Sequence, residues 1–256
     1  MLKFKIVNFV FFLVAILVLM GIVNAILPIY AILIVLGAWL LVTFIASTNI
    51  KMNYFFTSWQ SQENTSNQIA LTFDDGPTHN TLQILEILKK HQAKASFFCI
   101  GHRVDEHPAI AKKIIEEGHT IGNHTYSHAK NLGFFSNKRM QGEIESCNRA
   151  IAAATGKTPR LYRPPFGITN PKIKKALEIT EMQPVGWSVR SFDALLTSKE
   201  LIYKNIIRQV KSGDVILLHD DRVQTQEVLE RLLLSLKEKN YNLVTIDQLF
   251  KSHAYS

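Results

Sequence analysis

Apolar and charged positions are distributed unevenly along the 256 residues of the chain. Residues 6–50 carry no charged side chain, whereas all 21 acidic residues lie after residue 62. A membrane-spanning helix needs about 20 apolar residues, so this run is too long for one span and suits two. The pattern therefore predicts a membrane anchor over residues 1–50, followed by a domain with a charged surface.

Helix-breaking residues divide the apolar run near its middle. They are Gly21, Asn24 and Pro28. We therefore expect two transmembrane helices, at about 6–25 and 28–47, joined by a tight turn. A cleaved signal peptide is the alternative for the first helix, with "VNA" at 23–25 as the cleavage site.

The few lysines around the anchor predict its orientation. Lys3 and Lys5 precede the first predicted helix, and Lys51 follows the second. Because positive residues favour the cytoplasmic side, we expect a two-pass protein of the cell membrane with its domain in the cytoplasm. A single long or re-entrant segment would instead place the domain outside.

Residues 51–68 are predicted to connect the anchor to the domain. Their first half holds aromatic residues of the kind found at membrane–water interfaces, namely Tyr54, Phe55, Phe56 and Trp59. Their second half, "SQENTSNQ" at 61–68, is predicted to be a polar linker. The catalytic domain is then expected over 69–250, with a short tail at 251–256.

From residue 69 onward, short apolar or β-branched runs alternate with segments of helical periodicity. Such alternation predicts parallel strands and an α/β fold, and about seven units suggest a barrel rather than an open sheet. The predicted strands are 69–73, 94–100, 119–123, 160–164, 183–187, 214–219 and 242–246.

Local signals predict where several helices begin and end. Asn170-Pro171 places a proline in the first turn of one helix. Thr197 and Glu200 have the spacing of a capping box. Gly118 is expected to end a third helix.

Composition adds few constraints on function. From residue 51 onward, 27 basic and 21 acidic residues give a net charge of +6, which suits an anionic membrane or substrate but also an ordinary solvated surface. No nucleic-acid-binding motif is present, so no nucleic-acid partner is expected. Cys99 and Cys147 are predicted to be buried free thiols, because two cysteines make neither a disulfide framework nor a zinc ribbon.

Chemically versatile residues stand at the ends of several predicted strands: Asp74 and Asp75 follow the strand at 69–73, the run 123–128 follows the strand at 119–123, and His219 ends the strand at 214–219. In α/β barrels the loops after the carboxyl ends of the strands form the active site. His124 and His128 lie four residues apart and, on a helical turn, would share a face; together with a strand-end carboxylate they would make a catalytic zinc-type ligand set. The alternative is a pair of surface histidines on a helix.

Four motifs carry a resemblance to a known family. They are "TFDDG" (72–76), "HTYSH" (124–128), "RPPFG" (163–167) and "ILLHD" (216–220). In this order and spacing they resemble the motifs of NodB-type polysaccharide deacetylases, carbohydrate esterase family 4, over about residues 67–250. The resemblance implies a distorted (β/α) barrel and one divalent metal ion, usually zinc. It also implies hydrolysis of N-acetyl groups on amino sugars.

The resemblance also implies roles for individual residues. Asp74 matches the general base, and Arg163 matches the arginine that holds it. Asp75, His124 and His128 match the metal ligands. His219 matches the general acid. The implied substrate contacts are Leu217 in the acetyl pocket and Phe166 near a backbone N–H that binds the oxyanion. Trp187 and Arg190, which the resemblance does not assign, are two further predicted substrate contacts.

One motif departs from the family. The usual Asp-x-x-Asp-Trp run, whose first acid is expected to charge the catalytic histidine, reads "RSFDA" here, with Arg190 first and Ala194 last. A cation beside His219 would disfavour its charged form. We therefore hypothesise that Asp193 serves His219, bridging it to Arg190. Alternatively, Arg190 binds an anionic part of the substrate, such as a phosphate.

The sequence thus predicts a membrane-anchored, metal-dependent hydrolase of carbon–nitrogen bonds other than peptide bonds, acting as an amino-sugar N-deacetylase. Its partners would be membrane lipid and a glycan: peptidoglycan, another polysaccharide or a lipid-linked saccharide. The altered motif leaves open a catalytically impaired glycan-binding or scaffold protein. A metalloprotease is disfavoured, because the paired histidines lack the intervening glutamate that such a site uses.

Overall fold

The computed structural model of the protein describes residues 3–63 and 66–256. Residues 1–2 of the predicted anchor and residues 64–65 of the predicted linker therefore lie outside the described residues. The chain begins with a helical hairpin formed by α1 (Phe4–Val23) and α2 (Ala31–Ser47).

The two helices of the hairpin differ in length. α1 has 20 residues and is long and apolar enough to cross a membrane, as a signal sequence also is. α2 has 17 residues and would span about 26 Å, less than a hydrocarbon core of about 30 Å. It is shorter than predicted because the turn between the helices extends through Tyr30. One membrane-spanning candidate is therefore found among the described residues, and a two-pass anchor is not confirmed.

The base of the hairpin packs against the segment that follows it. The backbone N–H of Phe4 donates to the carbonyl of Tyr54 at 3.0 Å, and the Tyr54 hydroxyl lies 3.1 Å from Oγ1 of Thr43. Trp59 behaves differently, because it stacks on Phe250 of the domain with ring centroids 4.7 Å apart. The interfacial position of these aromatic residues stays a prediction.

The described part of the domain contains eight short strands, all paired in parallel. Seven of them follow the order β5-β4-β3-β2-β1-β7-β6, and β8 pairs with the start of β1. The strands are β1 (Gln68–Asp74), β2 (Ala95–Cys99), β3 (Thr120–Asn123), β4 (Leu161–Tyr162), β5 (Gln183–Pro184), β6 (Val189–Arg190), β7 (Val215–His219) and β8 (Asn242–Leu243). The predicted parallel α/β fold is confirmed, and the predicted barrel is confirmed in part: β5 and β6 end the order without pairing with each other in the described residues, so the strands form a half-barrel. β6 was missed, because it lies between the strands predicted at 183–187 and 214–219.

Eight helices surround these strands in the described ranges. They are α3 (His79–Lys90), α4 (Gly101–Glu106), α5 (Pro108–Glu116), α6 (Asn137–Thr155), α7 (Pro171–Ile179), α8 (Lys199–Gln209), α9 (Val223–Glu238) and α10 (Ile246–Leu249). Pro171 is the first residue of α7, as predicted, and the side chain of Asn170 caps the helix. The predicted Thr197–Glu200 box is wrong, because α8 begins one residue later and Ser198 caps it. Gly118 follows α5 with a φ of +77°.

Alternation along β1 separates two cores and determines which side chains reach the site. Leu71 and Phe73 face outward into the core beneath α3 and α9, whereas Ala70 packs into the barrel interior with Leu217 of β7. Asp74 is an even number of residues from Ala70, so it also points into the barrel. Cys99 and Cys147 are buried free thiols, as predicted. The predicted tail is packed too, because the Tyr255 hydroxyl accepts from the N–H of Ile121 at 2.8 Å.

Candidate functional site

Strand register brings the first two predicted catalytic residues together. Asp74 at the end of β1 is the direct partner of His219 at the end of β7, and Thr72 is the partner of Leu217. Neighbouring strands lie about 4.8 Å apart, and both ends face the interior of the barrel. A carboxylate and an imidazole therefore flank one point at the carboxyl ends of the strands.

Asp75 turns away from the strand that carries Asp74. Its φ is +76°, in the left-handed region, so the chain leaves the strand conformation at this residue. Its Oδ1 lies 3.5 Å from Nε2 of His124 and 3.3 Å from Nε2 of His128. This Oδ1 is buried and has no hydrogen-bond partner among the described residues. The two adjacent aspartates therefore face different groups: Asp74 lies beside His219, and Asp75 lies beside His124 and His128.

The two histidines converge on Asp75 from a bent, non-helical segment after β3. The prediction of a helical turn is therefore wrong, although the pair does converge. Nδ1 of His124 lies 2.8 Å from the carbonyl of Arg163, which leaves Nε2 for the site. The N–H of His128 donates to Thr125 Oγ1 at 3.2 Å, and its ring lies 4.7 Å from that of Phe166.

The donor set fits a divalent metal ion. One ligand atom from each of Asp75, His124 and His128 lies within 4.8 Å of the other two. Burial and the charge of His124 lower the pKa of His128 to about 4, which favours the neutral imidazole that binds metals. Burial disfavours the charged Asp75, but the imidazole of His124, 3.5 Å from its Oδ1, and the charge of His128 hold its pKa well below the usual range. Two imidazoles and one carboxylate form the ligand set typical of catalytic zinc.

Arg163 is completely buried behind Asp74. Its Nη1 donates to Oδ1 of Asp74 and to Oγ1 of Thr72, both at 2.7 Å. Its Nη2 donates to the carbonyl of Gly186 at 2.8 Å, and Nε donates to that of Val185 at 3.3 Å. The guanidinium is therefore held on all sides, and it orients the Asp74 carboxylate toward the site.

Asp193 lies behind His219 in the same way. Its Oδ1 is 2.8 Å from Nδ1 of His219, and its Oδ2 accepts from the His219 backbone N–H at 2.8 Å. Ser191 and Thr225 also donate to it. Burial lowers the pKa of His219, but the hydrogen bond and charge of Asp193 outweigh it and raise that pKa to about 9.

Arg190 does not take part in this network. No carboxylate lies within 4.0 Å of its guanidinium in the described part of the chain, and the expected bridge from Asp193 to Arg190 is therefore wrong. Its Cζ instead lies 5.0 Å from the ring centroid of Phe192. The side chain lines the candidate site and is exposed to solvent.

All eleven residues predicted for the site lie at one cavity of about 440 Å³. Arg163 and Asp193 lie behind its wall, and the other nine line it: Asp74, Asp75, His124, His128, Phe166, Trp187, Arg190, Leu217 and His219. Sequence reasoning missed four charged residues of the wall, which are Arg103, Lys130, Asp221 and Arg222. Asp221 and Arg222 follow β7 directly, so the strand-end rule could have found them. Arg103 comes from α4 and gives no such signal.

A further buried acid, Asp220, contacts the backbone of Asp74 next to the site. Its Oδ2 accepts from Oγ1 of Thr81 at 2.6 Å, and its backbone N–H donates to the carbonyl of Asp74 at 3.2 Å. A Cβ on Gly76 would lie 2.1 Å from Oδ2, so only glycine allows this approach. Burial raises the pKa of Asp220 to about 7.

Comparisons with known proteins agree with this geometry. Residues 61–185 match the family model described as polysaccharide deacetylase. A Bacillus cereus protein named peptidoglycan-N-acetylglucosamine deacetylase is 36% identical over 204 residues, covering 77% of this chain and 93% of that relative.

Two solved structures support the fold. The crystal structure of Bc1960, a peptidoglycan N-acetylglucosamine deacetylase, has a TM-score of 0.73 and 33% identity, covering 78% of this chain and 94% of the other. That of BA3943, described as a CE4 family pseudoenzyme from Bacillus anthracis, has a TM-score of 0.69 and 29% identity, covering 74% and 67%. Together with the four motifs, these matches show that the chain belongs to the polysaccharide deacetylase family of amide hydrolases, carbohydrate esterase family 4.

Proposed function

We propose that this protein is a membrane-anchored, metal-dependent hydrolase that removes N-acetyl groups from the amino sugars of peptidoglycan or a related glycan. The single observation that carries the proposal is the juxtaposition of Asp74 and His219, in direct register, beside the ligand set of Asp75, His124 and His128. An acid and a base on two sides of one cavity are what amide hydrolysis requires.

The residues divide the reaction between them. When bound, a divalent cation, with zinc favoured by the donor set, lowers the pKa of a water molecule and polarises the amide carbonyl. Asp74, held by Arg163, takes the proton of that water as it adds to the carbonyl carbon. His219 gives its proton to the sugar nitrogen as the carbon–nitrogen bond breaks. Acetate and the free amine are the products.

Other wall residues bind the acetamido group in this proposal. A backbone N–H beside Phe166 donates to the developing oxyanion. Leu217 and Trp187 belong to one apolar cluster inside the barrel and supply a small apolar wall for the acetyl methyl group. Asp193 holds the His219 ring and stabilises its protonated form, from which the acid step starts.

We propose that residues 1–50 form the anchor and 69–250 the catalytic domain, with 51–68 between them and 251–256 as the tail. Both ends of the hairpin contact the domain side, so two spans would place the amino terminus and the domain on the same face of the membrane. Lys3, Lys5 and Lys51 favour the cytoplasmic face. A topology reporter fused after Ser256 tests this orientation, and an external signal would contradict it.

The proposed function is tested by acetate release. Full-length protein in detergent, loaded with zinc, is incubated with an N-acetylglucosamine oligomer. We expect acetate release from the wild type and at least a hundredfold less from Asp74→Asn. The matched control is Glu116→Gln on the exposed side of α5, which should retain the rate. Equal rates for wild type and Asp74→Asn would contradict the proposal.

A catalytically impaired glycan-binding or scaffold protein is the second candidate. It is favoured by Arg190 and Ala194 in the altered motif and by the pseudoenzyme among the structural neighbours. The complete ligand set and the intact Asp193–His219 pair favour the enzyme. The scaffold would be supported if no glycan released acetate and Asp75→Ala left the biological activity of the chain unchanged.

A further inference from the structure

We propose that the site takes an amino sugar that carries a phosphate group and is held at the membrane by a lipid, and that Arg190 binds the phosphate. This inference rests on the proposed deacetylase function and names its substrate class. Three features of the structure carry it: the attachment of the hairpin to the cavity wall, the unpaired cations on that wall, and the exposed aromatic residue at its mouth.

The base of the hairpin is attached to the loops that form the cavity. The carbonyl of Ser47, the last residue of α2, accepts from the N–H of Thr169 at 2.7 Å. Nζ of Lys51 donates to the carbonyl of Ser188. Between these contacts, Ile50 is 1% exposed and packs in one cluster with Trp187, which lines the cavity. The apolar helices thus join the domain at the catalytic face.

Chain length limits the distance between the cavity and the end of α2. Phe166 lines the cavity and lies three residues before Thr169, which corresponds to at most about 11 Å of chain. Phe166 is 51% exposed. If α2 enters the bilayer, the mouth of the cavity lies at the level of the lipid headgroups. A sugar attached to a membrane lipid would be within reach there.

The cavity wall carries cations without acidic partners. Arg103 and Arg222 both contact Asp221, at 3.5 Å and 3.1 Å. In the described ranges, by contrast, Arg190 and Lys130 have no carboxylate within 4.0 Å. An arginine that lines a catalytic cavity without a counter-charge is suited to an anionic group of the substrate.

The backbone of Arg190 is fixed on the side of the wall that lies toward the hairpin. It belongs to β6, where it pairs with Leu217, and its carbonyl accepts from Nδ2 of Asn205 at 2.6 Å. Ser188, the acceptor of Lys51, lies two residues earlier. Burial lowers the pKa of Lys51, Asp214 raises it, and the charge of Arg190 lowers it, so the two cations lie in each other's field.

A phosphate is the anion that fits both the charge and the position. A guanidinium binds phosphate oxygens through two parallel hydrogen bonds. A phosphate between sugar and lipid would lie near Arg190 and Lys51 while the lipid chain remained beside α2. A neutral glycan would leave Arg190 without a partner. A soluble sugar phosphate offers the same chemistry, but it gains nothing from the hairpin.

The test compares three substrates with the full-length, zinc-loaded protein in phosphatidylcholine vesicles. They are a neutral N-acetylglucosamine oligomer, soluble N-acetylglucosamine 1-phosphate, and the polyprenyl ester of that phosphate. We expect kcat/KM from acetate release to be at least tenfold higher for the polyprenyl ester than for either other substrate. In Arg190→Ala, the ratio of kcat/KM for the ester over the neutral oligomer should fall at least tenfold, and Arg190→Lys should restore part of it.

A charge-matched control is Arg149→Ala on the exposed face of α6, which should leave that ratio unchanged. Hydrolysis of the neutral oligomer without any preference for the ester would overturn the inference and leave the proposed function intact. Equal kcat/KM for the soluble phosphate and the ester would overturn the lipid-held substrate. No acetate from any of the three substrates would overturn the proposed function, and this inference with it.

Discussion

Nη1 of Arg163 donates a hydrogen bond of 2.7 Å to Oδ1 of Asp74, and the two side chains are only 0% and 5% exposed. A buried ion pair of this kind contributes little net stability compared with apolar residues, but removing one partner leaves an uncompensated charge. The guanidinium has three further acceptors, so its loss would also leave buried polar groups without donors.

We therefore expect Arg163→Met to destabilise the protein by about 3–5 kcal/mol. The free energy of unfolding is measured in detergent by urea titration, with far-UV circular dichroism as the signal. Arg160→Met is the matched control, because its ion pair with Glu181 is exposed and contributes about 1 kcal/mol or less. Equal destabilisation by the two variants would show that Asp74 is not held by Arg163 as described.

Metal binding and proton transfer should separate at the two adjacent aspartates. Asp75→Ala removes a ligand, so we expect it to lose bound zinc in equilibrium dialysis and to release no acetate. Asp74→Asn should retain zinc at close to the wild-type stoichiometry but release no acetate. Dialysis against a chelator should abolish wild-type activity, and added zinc should restore it. Loss of zinc from both variants would mean that Asp74 also helps to bind the metal, and would contradict the separate roles.

How much of the site the sequence predicted depends on how local each signal is. Asp74, Asp75 and His219 were found because an apolar run that ends in polar residues marks the carboxyl end of a strand. β6 was missed because two residues form a strand only through pairing with β7. The absence of a bridge between Asp193 and Arg190 depends on which wall each side chain faces, and spacing does not carry that information.

For the predicted anchor, too, the sequence revealed the local pattern but not the contacts between distant residues. Absence of charge over residues 6–50 predicted two apolar helices, and the structure has two. The length of α2 depends on the turn before it, which composition did not locate. The attachment of Ser47 to Thr169 joins residues 122 positions apart, so only the folded chain reveals it.

The pairing of His219 with Asp193 predicts a shift in the pH dependence of activity. His219 must be protonated to donate its proton, so activity should fall as the pH rises through its pKa of about 9. In Asp193→Asn, burial still disfavours the imidazolium while the opposing charge is gone. We expect the alkaline limb of the kcat profile to move down by about two pH units. Asp105→Asn on the surface is the control, and an unmoved alkaline limb in Asp193→Asn would contradict this role.

The same pair predicts how stability depends on pH. The pKa of His219 is raised in the folded state, so its contribution is fully present below the ordinary value of 6.5 and lost as the pH rises through about 9. Asp193→Asn should remove that loss. The measurement is the free energy of unfolding of chelator-treated protein at pH 6, 7.5 and 9.5. A decline of equal size in wild type and variant would count against the pairing.

Replacing the buried Asp220 by asparagine should stabilise the protein, whereas Asp193→Asn should remove a stabilising contribution. Burial raises its pKa from 3.8 to about 7, so the folded state is stabilised below the lower value and loses that contribution as the pH rises through about 7. Asp220→Asn keeps the shape without a charge. We expect it to gain up to about 4 kcal/mol relative to wild type between pH 4 and pH 8 in chelator-treated protein. Asp247→Asn on α10 is the control, and parallel curves for Asp220→Asn and wild type would rule out a buried titrating acid.

Ile50 and Trp59, in the segment after the hairpin, precede the residues that match the family model, yet we expect them to support catalysis. The carbonyl of Trp59 accepts from the N–H of Gly186 at 2.7 Å, and Ile50 packs against the same loop. The carbonyl of Gly186 in turn holds Arg163. Ile50→Ala should therefore cost about 2–4 kcal/mol of stability and lower kcat, because a looser loop lets the Arg163–Asp74 pair shift.

Two measurements on Ile50→Ala distinguish support of the site from stability alone. The free energy of unfolding gives the cost of the cavity, and kcat well below the unfolding transition reports the geometry of Asp74. Ile179→Ala, at a residue that is 50% exposed on α7, is the matched control and should change neither by much. If Ile50→Ala were destabilised but kept the wild-type kcat, the loop would hold the fold without positioning Arg163, and the hairpin would serve only as a tether.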